Sequence, residues 1–565
     1  MRARLGRHSA SRSRPALIAW SVYALIAVAG WALLPAGGFW INDEGIKYLQ
    51  AMAIRSSPDR SSEVRLDFSP EETGGLLPHA PVYLWQTPRG YRFLYPDYFA
   101  RLAARAHWLA GETGMRLVAL VAGLVAVGAW TLAAGRHAPR AAPFVPLLAL
   151  GSPWMFYHWV FWEHTIALAA QTVSLVVFLW GWRRRRVDAL VLAGSALGLC
   201  AFLRGELALY AVALALGFGL AFRDWRRPAA FLLGVAIPLA GLLLLNTQQW
   251  GHPLGLHYAG LSLAATMKGA TRWQTIRTLV VGMPGHPATA LTAVAGILGV
   301  VGLSARRARG LAVGGLAVGL GAAVIVRRQF LALPDPFAAL VGFASLVTLT
   351  PILFVGLAVG FAWHSGRRRR ALALTAILFL LGAAFSYSSA SAAGIHWGPR
   401  LLLPALVPMV VLAAERLAAA FRAVRRTPGR GWEAAGLLAG LALGWVDTGY
   451  SWRLLDQARA HGAAVERFLV ERPERLLVTN LWWVPQLYAR AGTGHSFLLL
   501  QSPGDYAKFR AFAVSRGEKA WLLATGRQTI GELAAERLVI PGAPDRGTIL
   551  DFRLYRVSSG SSEGA

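Results

Sequence analysis

Across 565 residues the chain is 55% hydrophobic and only 15% charged, with a mean hydropathy of +0.46 and a formal net charge of +29. A soluble globular chain carries about 25% charged residues, so intrinsic disorder and an ordinary soluble enzyme are both excluded. The positive excess does not point to nucleic acid, because the arginines stand in short bursts at the ends of apolar runs, not on one face of a soluble fold.

The chain opens with a basic segment, residues 1–14, that reads as a cytoplasmic N-terminus. Apolar runs suited to crossing a bilayer, which takes about 20 residues, then fall near 15–36, 113–135, 141–160, 165–182, 188–203, 206–222, 229–246, 287–304, 311–326, 338–363, 371–388, 401–421 and 432–450. Seven arginine-rich bursts separate these runs, from Arg2–Arg14 through Arg136–Arg140, Arg183–Arg186, Arg223–Arg227, Arg306–Arg309 and Arg367–Arg370 to Arg422–Arg430. Short basic loops stay on the cytoplasmic side. Successive bursts are two runs apart, as a chain returning to the same side requires. The expected fold is therefore an all-α polytopic membrane protein of about 13 transmembrane helices, N-terminus in and C-terminus out, in the inner membrane of a bacterial cell. The first run is longer than a signal-peptide core and lacks a clear cleavage site, so it reads as an uncleaved anchor. The single cysteine, Cys200, lies in an apolar run and forms no intramolecular disulfide.

Between the first two spans, residues 37–112 make a long outer loop with helical stretches at 44–55 and 95–110 around a Pro/Gly-rich middle, 70–90. The loop opens on Asn42-Asp43-Glu44-Gly45-Ile46-Lys47-Tyr48. Adjacent acids at a helix start have an ordinary explanation as N-terminal caps. They also suit a general base, with Lys47 and Tyr48 one turn on from Glu44. Glu163-His164 closes the third span amid Tyr157, Trp159 and Trp162, where an interfacial aromatic belt with a helix cap is the plain reading. Arg204-Gly205-Glu206 turns between the fifth and sixth spans on the outer side. An arginine there opposes the positive-inside bias, so it pairs with a carboxylate or holds an anion such as phosphate. His396-Trp397-Gly398-Pro399-Arg400 precedes the twelfth span, and the Gly-Pro turn aims Arg400 at the membrane surface, for snorkelling or for a ligand. His252 and His257 lack a nearby carboxylate, and no Walker loop, dinucleotide fingerprint or HExxH sequence occurs. Residues 451–557 alternate strand-like runs (476–479, 520–523, 549–557) with helical ones (458–470, 505–515, 529–536), which predicts a small extracytoplasmic α/β domain. Residues 558–565 read as a disordered tail.

The order of these motifs resembles the GT-C superfamily of polyprenyl-phosphate-sugar-dependent glycosyltransferases, the group of protein O-mannosyltransferases and lipid A aminoarabinose transferases. Four features carry the likeness: the Asp43-Glu44 pair after the first span, Tyr91 to Pro96 before the second, Arg204 with Glu206 closing a Gly/Leu-rich span, and Gly398 to Pro404 opening a late one. The resemblance covers residues 15–450, with the tail in the place of the family's periplasmic domain. It implies transfer of a sugar from an isoprenoid phosphate carrier to an acceptor hydroxyl on a lipid, glycan or protein, with inversion, at the extracytoplasmic face. Asp43 would be the base, with Glu44 as the alternative. Arg204, Arg400, Lys47 and His396 would bind the donor phosphate, and Glu163, His164, Glu206 and Tyr95 would line the cavity they share. A leaving carrier phosphate does not oblige a metal, so no metal or other cofactor is expected. The alternatives are an envelope polysaccharide polymerase or ligase, and a transporter or flippase. The latter would place charges at mid-span on broken helices, whereas the acids here cluster at outer ends.

Overall fold

The computed structural model describes, apart from short gaps, residues 2–255, 324, 352–353, 366–386, 400–426, 431–525, 536–538 and 551–556. The span expected near 287–304, nearly all of those near 311–326 and 338–363, His257, His396 and the tail 558–565 lie outside the described residues. The described chain is mostly helical and falls into two compact units. Five described helices are long and apolar enough to cross a membrane: Arg14–Leu33, Tyr98–Arg136, His164–Arg184, Arg226–Trp250 and Arg400–Arg426; Val187–Cys200 and Glu206–Phe222 are shorter apolar helices.

The first unit takes residues 1–32, 116–254 and 264–452. It holds α1 (Arg2–Leu33), most of α3 (Tyr98–His137), α4 (Phe144–Leu150), α5 (Pro153–Trp159), α6 (His164–Arg184), α7 (Val187–Cys200), α8 (Glu206–Phe222), α9 (Arg226–Trp250), α10 (Arg367–Ser386), α11 (Leu403–Arg426) and the first half of α12 (Gly431–Val470). Most of these match the apolar runs to within a few residues. The two helices expected at 95–110 and 113–135 lie within α3, on either side of a break at Ala110–Gly111, where both residues leave helical geometry and Gly111 has φ +60°. Three departures stand out. The run 141–160 is two short helices, because Gly151 ends α4 and Ser152 is extended with Pro153 at the first turn of α5. Span 432–450 and the helical run 458–470 are one unbroken helix, α12. A 3-10 turn, Arg400–Leu402, leads into α11.

Without a hydrophobic drive between apolar helices, close packing of small residues brings them together. That is visible where α7 crosses α9: a Cβ on Gly194 would stand 2.0 Å from the Phe231 carbonyl oxygen, and one on Gly234 would stand 2.1 Å from that of Val191. The short α5 is wholly buried. His158 Nδ1 donates to the Trp154 carbonyl at 2.8 Å, so its Nε2 accepts from the Tyr23 hydroxyl at 2.6 Å, and Trp159 Nε1 donates to Ala27 O at 3.0 Å.

The second unit gathers residues 33–115, 255–263 and 453–565. The sequence reading sets the 37–112 loop with the membrane helices and residues 451–557 apart, whereas here the loop and the tail share one body. Its main sheet has strand order β5-β4-β6-β8-β7, from β4 (Leu476–Thr479), β5 (Ser496–Leu499), β6 (Ala520–Thr525), β7 (Glu536–Leu538) and β8 (Asp551–Arg556). The strand β4 is parallel to β5 and β6, while β8 is antiparallel to β6 and β7. Strand alternation sorts the core. Leu477 and Leu522 pack with Val465 and Leu469 of α12, whereas Leu476, Val478, Trp521 and Leu523 pack with Phe509 and Phe512 of α14 (Pro503–Ser515). Loop residue Leu76 joins the second cluster, and Leu499 N donates to Leu77 O at 2.9 Å. The loop also carries a sheet of order β1-β3-β2, from β1 (Val64–Arg65), β2 (Leu84–Thr87) and β3 (Gly90–Phe93), covered by Ile46 of α2 (Asn42–Ser56).

His79 is buried edge-on to Tyr91 and Phe93, with ring centroids 5.4 and 5.1 Å away. Burial pushes its pKa down to about 3. The folded imidazole therefore stays neutral while the unfolded one gains a proton below about pH 6.5. Stability from this residue is fully present above pH 6.5 and lost as pH falls toward 3. Thermal unfolding at pH 7.5 and 4.5 should show a loss of about 2–3 kcal/mol that His79→Phe lacks; equal pH slopes in both proteins would remove His79 as the cause.

Candidate active site

The helix α2 begins without a side-chain cap, since its N-cap residue is Ile41, extended at φ −145° and ψ 164°. Glu44 instead anchors the chain that enters the helix. Its carboxylate folds back to accept from the Trp40 N–H, half of a capping box displaced by one residue, and lies 3.8 Å from the buried Arg459 guanidinium of α12. Glu44 is fully buried and Arg459 is 3% exposed. Glu44 therefore has a structural role, tying the entering chain to the helix, that differs from capping an N–H of α2 itself.

Asp43 faces elsewhere. It forms a stripe with Lys47 and Gln50 at i, i+4 and i+7, one face of a helix, and all three reach the Tyr95-Pro96 turn. Tyr95 donates its hydroxyl to Asp43 Oδ1 at 3.4 Å, Lys47 Nζ donates to Pro96 O at 3.0 Å, and Gln50 Nε2 donates to Tyr95 O at 2.9 Å. Lys47 also stands 5.3 Å over the Tyr95 ring. Asp43 is 7% exposed. The stripe joins the two motifs, Asp43-Lys47 and Tyr95, that the sequence set some fifty residues apart. Gln50 was missed; its signal was the i+7 spacing.

On the far side of α2, Tyr48 donates to Glu112 Oε1 at 3.2 Å, and burial first, then the charge of Glu112, push its phenol up to about 12. Arg490 closes the group: it pairs with Glu112 at 3.2 Å, lies 4.9 Å over the Phe39 ring and 5.6 Å over that of Tyr48, and donates to Ala36 O at 2.8 Å. The helix is pinned by close backbone approach as well. A Cβ on Gly45 would meet the Gln486 carbonyl oxygen of α13 (Val484–Leu487) at 1.6 Å, so only glycine fits.

In the other unit, five more of the sequence-predicted residues fall into one cluster. Glu163 takes the N-cap position of α6, and His164 opens that helix. The His164 ring stacks on Tyr157 at 5.2 Å and meets Trp162 edge-on at 4.3 Å, while Arg400 lies 4.9 Å over the Trp162 ring. Arg204 binds Glu206 through two hydrogen bonds and Glu163 through a third at 3.3 Å. Glu163, His164 and Glu206 are buried. The pairing of Arg204 with Glu206, weighed against an anion ligand in the sequence, is present, and a second carboxylate joins it. Sequence reasoning passed over Trp162 as belt material, yet it bridges His164 to Arg400.

Among the described residues no group of three His, Cys, Asp or Glu side chains could hold a metal ion. His252 Nδ1 accepts from Leu254 N at 3.2 Å, a turn contact.

No family model matches the chain, and no curated protein matches it. Among solved structures, it is similar to ArnT from Cupriavidus metallidurans in the apo state, at 14% identity over 95% of this chain and 97% of that one, with a TM-score of 0.49. It is also similar to the archaeal oligosaccharyltransferase AglB from Archaeoglobus fulgidus, in complex with an inhibitory peptide and a dolichol-phosphate, at 15% identity over 90% of this chain and 69% of that one, with a TM-score of 0.49.

The Glu44–Arg459 contact predicts a non-additive pair. Arg459→Met strands a buried carboxylate and should lower stability by about 3 kcal/mol. Adding Glu44→Gln should recover at least a third of that loss in a double-mutant cycle read by thermal unfolding. Simple additivity would show that the two groups do not act together.

Proposed function

We propose that the chain is an integral membrane glycosyltransferase that moves a sugar from an isoprenoid phosphate carrier to an acceptor hydroxyl, with Asp43 as general base. The observation that carries the choice of base is the division of labour within the acidic pair. Glu44 is spent on the Trp40 N–H and Arg459, whereas Asp43 stands beside a phenolic hydroxyl on the Lys47–Gln50 face. The choice of reaction is supported by the ordered motifs from Asp43 to Pro404 on an apolar, multi-helix chain.

In this reading the acceptor O–H gives its proton to the Asp43 carboxylate as the oxygen attacks the anomeric carbon. The bond from that carbon to the carrier phosphate breaks with inversion, and the phosphate leaves with the electron pair. Arg400, backed by the Trp162 face, offsets the developing charge. Arg204 joins it, with Glu163 and Glu206 fixing its guanidinium plane in advance. His396 completes the basic set. Lys47 serves chiefly to hold the Tyr95-Pro96 turn beside the base, since its ammonium already donates to Pro96 O. His164 and Tyr95 line the site with polar edges. The reading includes thirteen spans with the N-terminus inside, a bacterial inner-membrane location, an extracytoplasmic C-terminal domain, and a lipid, glycan or protein as acceptor.

The test is sugar transfer by the purified protein in lipid vesicles from a panel of polyprenyl-phosphate sugars. Asp43→Asn should lower turnover by about 10²–10⁴-fold with the fold intact. Full activity in Asp43→Asn, or no transfer from any donor by the unaltered protein, overturns the reading.

A further inference from the structure

The second unit contains a cleft of about 380 Å³ that none of the residues discussed as base or phosphate ligand lines. Its walls come from Gly37, from the α12 residues Ala463, Glu466, Arg467 and Val470, and from Arg490. Glu466 is the unusual member. It is 8% exposed and lines the cleft, Oε2 accepts from the Gly38 N–H at 3.1 Å, and Oε1 has no hydrogen-bond partner among the described residues. A buried polar atom left unmatched costs free energy, so such an atom beside an open cleft marks a place for a ligand group.

We infer that this cleft binds a neutral, hydroxyl-rich ligand, a single sugar residue of a saccharide, with Glu466 as its central hydrogen-bonding group. Three observations select that chemistry. Glu466 lines the cleft as a buried carboxyl with one oxygen unmatched, which suits it to accept from a sugar hydroxyl and disfavours an anion beside it; burial raises its pKa while the Arg490 charge opposes that shift. The charges at the cleft are largely balanced, because Arg490 is paired with Glu112 and Glu471 stands beside Arg467, which leaves little net field for an anion. Ala463 and Val470 offer an apolar patch for the C–H face of a pyranose, and the volume is at the lower end of small-molecule sites.

The inference rests on the proposed sugar transfer only for choosing saccharides among neutral polyols, and it requires no turnover. Its test therefore omits any donor. Saturation-transfer NMR on the full-length protein in nanodiscs, with glucose, N-acetylglucosamine, lactose and glucuronate as probes, should show binding of at least one neutral sugar. Glu466→Gln, which keeps a donor and an acceptor, should retain it within about threefold. Glu466→Leu should weaken it about tenfold, the loss of one to two hydrogen bonds. Val470→Trp, an exposed position whose substitution leaves internal packing alone, should block it. The inference is overturned if no neutral sugar binds the folded protein, if glucuronate alone binds, or if Val470→Trp and Glu466→Leu bind as the unaltered protein does. Binding that persists in a protein inactive in transfer would leave the inference standing and remove the reaction; transfer without binding would do the reverse.

Discussion

The buried carboxylate of Glu44 is the constraint on which the candidate catalytic helix depends. An α-helix leaves its first N–H groups without partners, and α2 starts at an isoleucine that cannot cap it. Glu44 ties the entering chain at Trp40 to the first turn and to Arg459, more than 400 residues away in the sequence. With the entry angle set, the Gly45 face can press against the Gln486 backbone, and the Asp43–Lys47–Gln50 face meets the Tyr95-Pro96 turn. One helix of fifteen residues thus carries a structural acid and a candidate chemical acid side by side. Their adjacency gives them different faces, since neighbouring helical positions do not share one.

The cluster around Arg204 follows a different logic. A single guanidinium between two carboxylates carries a local charge of −1, and Arg400 restores neutrality. Burial of these groups makes neutrality important, because uncompensated charge away from water is expensive.

Hydropathy made the long helices legible. The α8 run is contiguous and bounded by Glu206 and Arg223, and both of its ends are where the pattern sets them. The same measure failed at residues 141–160, because average hydropathy is blind to the Gly151-Ser152-Pro153 break inside a continuous apolar run. It also hid the continuity of α12, whose polar second half looked like a separate element. Candidate site residues divided along similar lines. Those carried by local motifs, such as Asp43, Arg204 and Arg400, could be picked out, and Gln50 could have been from its spacing. Arg459, Glu466, Arg490 and Glu112 act through partners hundreds of residues away or through a turn between elements, and no window of the sequence contains such pairs. The small sheet of the first loop was concealed by its Pro- and Gly-rich composition, which signals turns more strongly than two- to four-residue strands.

The short helix α5 bears on how the chain assembles. Seven residues close too few hydrogen bonds to hold a helix by themselves, and every one of the seven is buried. Its order is borrowed: Tyr23 and Ala27 of α1 take up His158 and Trp159, and Gly123 of α3 leaves the space that the His158 ring fills. The aromatic segment that ends at His164 can therefore take its native form only once α1 and α3 stand side by side. Those two helices precede it in synthesis, so their template exists before the segment that needs it emerges.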